Sequence, residues 1–556
     1  IAGSKISPTF TTDGSFNSVS IGKGAGSVTN NTVLGLNALD ASVSGDNNTA
    51  IGSGALTDLT SGSRNTAVGV NSMANNLTGV NNVAIGVNTL FDNTGDNNTA
   101  LGDAVLFENT SGGNNVGVGK NALLENTTAS NNTAVGYLAL AQNTEGFSNV
   151  AVGSTALDAN TTGDDNVAIG MAALTASTTG DDNTAVGHDA LKANTTANQN
   201  VAVGSFSLLS NTTASANTAF GYSSLKLNTT GARNVAVGST ALDANTTAND
   251  NTAIGFESLT TNTTGNQNTG AGSKTLYSNE TGSNNAALGF FALNANTTGS
   301  NNVAVGKSAL DANTTASFNT AVGQAALGAN TTGAENTAVG SNALDANTTG
   351  TPNTAIGYNS LTSNTTGGSN TACGKSALQN STTADHNTAV GNNALLANTT
   401  GHSNVAVGSL ALDISTTANN NTAVGRSALS AATTGSNNVA VGSLALDANT
   451  TGQYNFAVGY NALGANTTGS VNVAIANAMQ TNTTGESNVA IGSNALDDNT
   501  SGSQNVAVGR QALGDNITAD NNTAVGHNAL LKNTTGTNNV AVGALALDAN
   551  TTAENN

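Results

Sequence analysis

From near Asn31 to Asn556 the chain repeats one pattern of polar and apolar positions about every 17 residues. One copy runs Asn149-Val150-Ala151-Val152-Gly153, two variable residues, Ala156-Leu157, two more variable residues, Asn160-Thr161-Thr162-Gly163 and two polar residues, and then restarts at Asn166. The glycine closing the first segment recurs at Gly35, Gly52, Gly69, Gly86 and Gly102 and onward to Gly543, about 31 coils in all. A fixed period of this length marks a stack of supersecondary units, none of which can bury its apolar face alone.

Within a coil, Asn149 to Val152 is short, β-branched and bounded by turn formers, which predicts a strand. Val150 and Val152 then share one face and Ala151 takes the other. The Val152 position stays apolar (Val68, Ile85, Val135, Ile169, Phe220, Cys373), which predicts the core, while the Val150 position alternates with Thr and is expected to be partly buried. Ala151 is rarely replaced, so either the opposite wall of a thin coil or another chain is expected to approach it closely. Gly153 supplies a conformation or a clearance that a side chain would deny. Ala156-Leu157 is expected to open a second strand, with Leu157 the largest regular core residue. Asn160 to Gly163 reads as a turn with glycine at positive φ. The two Asn columns are expected to form side-chain ladders between coils and to tolerate left-handed corners. No apolar face recurs at helical spacing, and the composition disfavours helix.

These elements predict an all-β parallel β-solenoid or β-roll. Stacking at about 4.8 Å would make a rod on the order of 150 Å long. Residues 1–21 read as an extended lead-in or cap with Pro8, Phe10, Phe16 and a turn at Asp13-Gly14, and 22–556 as a continuous array. Ser18 to Gly22 looks like an imperfect first strand, and the 13-residue step from Gly22 to Gly35 fits a capping coil. Two coils are one residue short, Gly86 to Gly102 and Ala476 to Gly492, where a bulge or loop adjustment is expected. A coil of alanines and valines gains little from burial against backbone entropy, so side-by-side self-association is expected, with the Ala column as the contact face.

Composition alters this picture little. Few aromatics and a charged fraction of 8% would suggest disorder in an aperiodic chain, but the strict period overrides that. A net charge of −20, spread thinly along the chain, disfavours nucleic acid, which needs a basic stripe, and anionic membrane surfaces. The lone Cys373 reads as a small core residue, so the fold must stand without disulfides. No segment reaches the apolar length of a membrane span, and no signal peptide is visible. Both ends read as cut, with anchoring and tip segments expected elsewhere.

The run Asn-Val-Ala-Val-Gly, as at Asn149–Gly153 and Asn302–Gly306, resembles the head repeat of YadA-like trimeric autotransporter adhesins. The longer unit, Asn183 to Gly187 followed by Ala190-Leu191 and Asn194-Thr195-Thr196, is also similar to repeat regions of bacteriophage tail fibres. The resemblance implies a left-handed roll with three chains side by side. The longer period and the lack of a stalk or anchor depart from the adhesin pattern.

Catalytic chemistry finds no foothold: His188, His386, His402 and His527 stand apart from any acid or serine at a recognisable spacing. The Asp column (Asp158, Asp243, Asp311, Asp345, Asp413, Asp447, Asp548) lacks the calcium β-roll signature and reads as solvated carboxylates. No metal or cofactor is expected. Gly22-Lys23-Gly24-Ala25-Gly26 lacks the helix and ending of a phosphate loop. The Asn-Thr-Thr triplets arise wherever the turn recurs, and ice binding suits the alternating Thr and Val poorly. The variable position after the glycine carries Tyr137, Tyr222, Phe256, Tyr358 and Tyr460, an expected exposed contact column. The reading is a non-enzymatic, extracellular shaft on a virion or cell surface, a homotrimer carrying a host- or surface-binding tip. The alternative is that the repeats themselves bind a glycan.

Overall fold

The computed structural model describes residues 14–16 and 18–556. The expected lead-in before Gly14, with Pro8, Phe10 and Asp13, lies outside the described residues. Two compact units divide the chain, Ile1–Ser273 and Lys274–Asn556. Each is an all-β parallel β-solenoid, together holding about 30 coils of about 17 residues, and no helix occurs among the described residues.

The first unit opens differently from the rest. Strand β1 (Gly14–Phe16) pairs antiparallel with β2 (Val19–Gly22), and β2 pairs antiparallel with β3 (Thr32–Gly35). Only from β3 to β4 (Thr49–Ile51) does parallel stacking begin. Ser18 to Gly22 is therefore not a copy of the repeat strand; it runs the opposite way.

Each later coil carries one three-residue strand. Val150–Val152 pairs in register with Thr133–Val135 and Val167–Ile169, valine against threonine or valine, alanine against alanine. The ladder extends past the strand. The Val150 N–H donates to the Asn166 carbonyl at 2.8 Å, while the Gly153 and Thr155 N–H groups donate backward to Val135 and Tyr137, both at 2.8 Å. The Leu157 and Thr161 N–H groups donate forward again, to Ala173 at 3.0 Å and Thr178 at 2.9 Å. A coil is thus held from both sides around most of its circuit.

The side-chain faces invert one expectation. Ala151 is sealed, and Val150 and Val152 stand on the outer face, partly exposed. Past Val33 in the first coil, the interior is so narrow that the strand carries nothing larger than a methyl opposite the turn. Where Val105 takes the place usually held by alanine after the glycine, the next strand answers with Gly117, whose Cβ would lie 2.4 Å from Val105 Cγ1. The Ala column is therefore the inner wall, not a face for another chain, and Cys373, in the Val152 column, is exposed rather than core.

Ala156-Leu157 is not a strand either. Gly153 (φ 141°), Thr155 (53°) and Leu157 (53°) all have positive φ, and the alternation curls the chain into tight turns. A left-handed leucine costs about 1–2 kcal/mol, and its complete burial returns about 1.5–3 kcal/mol, so the conformation survives in nearly every coil. Gly163 is outside the left-handed region, and alanine fills its place at Ala197 and Ala248. The left-handed corner falls instead on the residue before each strand Asn, as at Asp165, Gln199 and Asn131.

Both short coils adjust in loops and leave the strands in register, Val83 against Thr99 and Val473 against Val489. The first drops a threonine from its turn, so the Asn93 amide reaches the Gly95 carbonyl, two residues on, at 2.8 Å. The second drops a residue after Ala476, which itself adopts φ 75°.

Candidate functional surface

Two files of asparagine run through the interior of each unit. The Asn149 side-chain amide donates to the Gly163 carbonyl at 2.8 Å, and its Oδ1 accepts the Asn166 backbone N–H at 3.0 Å. Asn160 donates to the same Gly163 carbonyl at 2.9 Å and to Asn143 Oδ1 of the preceding coil at 2.8 Å. Both files are fully buried, and each turn carbonyl joins them. A threonine file reinforces the corner, the Thr161 hydroxyl donating to the Thr178 carbonyl at 3.1 Å. The Asn160 file is the side-chain ladder expected from the sequence, whereas the Asn149 file links each coil through the backbone N–H of the next.

The Asn160 file is broken where serine replaces asparagine, at Ser177, Ser381 and Ser415. Asn160, Asn364 and Asn398 each lose the donor that the next coil should supply, and their Oδ1 atoms are buried without a partner; so are the three serine hydroxyls. Restoring the amide should stabilise. Ser177→Asn, Ser381→Asn and Ser415→Asn are each expected to add about 1 kcal/mol, read as a higher denaturant midpoint with unchanged slope.

The outer surface carries two apolar files. One is the Val152 column, with Ile85, Leu101, Ile169, Phe220 and Ile254 exposed in the first unit and Leu288, Val339, Ile356, Val390 and Val407 in the second. The other is the position after the glycine, where Tyr137, Tyr222, Phe256, Tyr358 and Tyr460 are half to two-thirds exposed. These five stand at least two coils apart along the repeat, so no two belong to neighbouring coils. What the structure brings together is His188, Phe206 and Tyr222 on three successive coils. Their rings meet edge to face, with centroids 5.2 Å apart for His188–Phe206 and 5.9 Å for Phe206–Tyr222. Phe206 sits one position beyond the variable column, so a file read down a single column passes over it. Phe91 and Phe107 stack at 5.2 Å in adjacent coils, hidden in the sequence by the 16-residue step between them.

The Asp column is not simply solvated. Burial pushes the carboxyls of Asp158, Asp243, Asp311, Asp345, Asp413 and Asp447 above the usual carboxylate range. Among the described residues no three His, Cys, Asp or Glu side chains gather into a metal-binding group, and His188 lies 3.8 Å from Asp189 beside the Asp189–Lys192 ion pair. No helix among the described residues is long and apolar enough to cross a membrane. Compared with known proteins, the chain matches no family model and no curated sequence.

Proposed function

We propose that this chain forms the stiff shaft of an extracellular attachment appendage, a virion tail fibre or a surface adhesin, built of three copies side by side and carrying a binding tip. The observation that carries the reading is the outward-facing Val152 file, an apolar stripe that recurs coil after coil, partly exposed in some coils and exposed in others. With the Ala file sealed inside, the contact between copies moves to this outer face, where burying Val, Ile and Leu would add about 25 cal/mol per Å². The count of three rests on the likeness to the head repeats of trimeric autotransporter adhesins. The role is mechanical, and no residue is assigned catalysis or a cofactor.

Mass in solution tests it. The chain is expected to sediment as a trimer, and Val152→Lys with Ile169→Lys and Val186→Lys to weaken association while the β-sheet circular dichroism persists. A wild-type monomer would overturn the shaft assembly. A second reading, in which the repeats bind a glycan directly, is favoured by the exposed rings of Tyr137, Tyr222, Phe256, Tyr358 and Tyr460. Glycan-array binding lost on Tyr222→Ala would support that reading; silence of the fragment would favour the pure shaft.

A further inference from the structure

The position five residues after the strand-closing glycine has a recurrent task. Where it carries threonine or asparagine, that side chain reaches back to the carbonyl twenty residues earlier, on the preceding coil, whereas Ser430 donates forward to the Asp447 carbonyl at 3.3 Å. Thr175 donates to the Thr155 carbonyl at 3.0 Å, Thr260 to Thr240 at 3.1 Å, Thr362 to Asn342 at 2.8 Å, and the Asn294 amide to Lys274 at 3.1 Å. Asp158, Asp243 and Asp413 occupy this same position, and the matching carbonyls belong to Leu138, Ser223 and Asn393. A carboxylate has only acceptors, so it cannot make the bond. In all three, one carboxylate oxygen is buried with no hydrogen-bond partner, and none of the three carbonyls accepts a hydrogen bond among the described residues. Two acceptors therefore stand where the fold elsewhere sets a donor against an acceptor.

We infer that this aspartate file is a proton-operated clamp between coils: a carboxyl that takes up one proton from solvent becomes the donor, and its O–H bonds the carbonyl twenty residues back.

The surroundings agree. Burial raises Asp158 and Asp413, opposed by backbone N–H groups of their own turns (Asp158 and Ala159; Asp413 and Ile414). Burial also raises Asp243, opposed by the Lys226 ammonium in the preceding coil. Lys226 is the only charged neighbour in the column: Asp158 lies between Ala141 and Thr175, Asp243 between Lys226 and Thr260, and Asp413 between Leu396 and Ser430. A carboxyl that binds its proton more tightly folded than unfolded adds stability below its unfolded value, here 3.8, and that contribution is lost as pH rises through the higher folded value. The clamp thus closes as pH falls through the raised folded value and opens above it, opposite to a salt-bridged aspartate.

Asparagine supplies the donor permanently, as Asn294 does. The test is the full chain carrying Asp158→Asn, Asp243→Asn and Asp413→Asn, beside a charge-matched control of Asp165→Asn, Asp182→Asn and Glu335→Gln, three exposed corner positions where Asn or Gln occurs in other coils. At about pH 7 the first variant is expected to melt a few degrees above wild type, and the control not to. Amide exchange, corrected for its intrinsic pH dependence, should slow several-fold in the wild-type coils around these aspartates as pH falls from about 7 to the unfolded value of 3.8. That slowing should vanish in the first variant and persist in the control. Wild-type coils that loosen in this range would overturn the clamp. So would an Asn variant that melts below wild type, or a control that abolishes the slowing equally, since net charge would then be the cause.

Discussion

Gly238→Ala is expected to destabilise its coil by roughly 3 kcal/mol or more, because strain and steric overlap act together. Gly238 adopts φ 141°, a region that side chains rarely enter, and an added Cβ would stand 2.3 Å from the Gly255 carbonyl oxygen and 2.6 Å from its carbon. Neither contact is with a flexible side chain that could swing away; both are with the backbone of the next coil. In a stack where each coil touches only its neighbours, the damage should stay local. It is best read as faster amide exchange in the coils of Gly221, Gly238 and Gly255, with distant coils unchanged. The chain already contains the compensated form. Ala476 stands in the same file, but its coil is one residue shorter and its φ falls to 75°. Its N–H still donates to the Val458 carbonyl at 2.7 Å. Deleting Ser239 alongside Gly238→Ala should therefore recover part of the loss. Equal stability of Gly238→Ala and wild type would mean that the clearance is not what selects glycine.

The period, the repeat strand at Val150–Val152, the lack of helix among the described residues and the Asn160 side-chain ladder were legible in the sequence, because each follows from the spacing of residue types. Which face of the strand is the core was read the wrong way round. Larger apolar residues were placed inside, yet the width of the coil, not hydrophobicity, decides what fits. The clue lay in how each position varies: past Val33 in the first coil the Ala151 file departs from alanine only to glycine, as at Gly117, while the Val152 file ranges from Ala271 to Phe220. A position that accepts any size faces no wall. The Ala156-Leu157 segment misled for a different reason. Leucine is a poor candidate for a left-handed turn on local preference, and only complete burial and the forward bond from its N–H hold it there. The pairing of rings across columns, as in His188–Phe206–Tyr222, depends on side-chain reach between coils and is invisible to a column-by-column reading.

The asparagine files should matter unequally, and the serine breaks say where. Asn166→Ala removes the acceptor for the buried Asn183 backbone N–H, bonded at 3.0 Å, and the donor to the Gly180 carbonyl, bonded at 2.8 Å. In a regular coil the turn carbonyl has a second donor from the Asn160 file, but here that residue is Ser177, whose hydroxyl makes no bond. Asn166→Ala therefore orphans two buried groups, at a cost of roughly 2–6 kcal/mol. Asn200→Ala provides the comparison. It strips the Asn217 N–H of its partner at 3.0 Å, but the Ala214 carbonyl keeps the Asn211 amide at 2.9 Å. One orphan rather than two should cost about 1–3 kcal/mol. Adding Ser177→Asn to Asn166→Ala returns a donor to the Gly180 carbonyl, so the pair should be less damaging than the sum of its parts by about 1 kcal/mol or more. Urea unfolding of the four variants, with amide exchange to localise the effect, measures that coupling. Equal costs for Asn166→Ala and Asn200→Ala, with no coupling to residue 177, would show that the two files do not share the turn carbonyl as an energetic joint. The ladder would then be no more than a consequence of stacking, and the strands and their glycines would hold the coils in register alone.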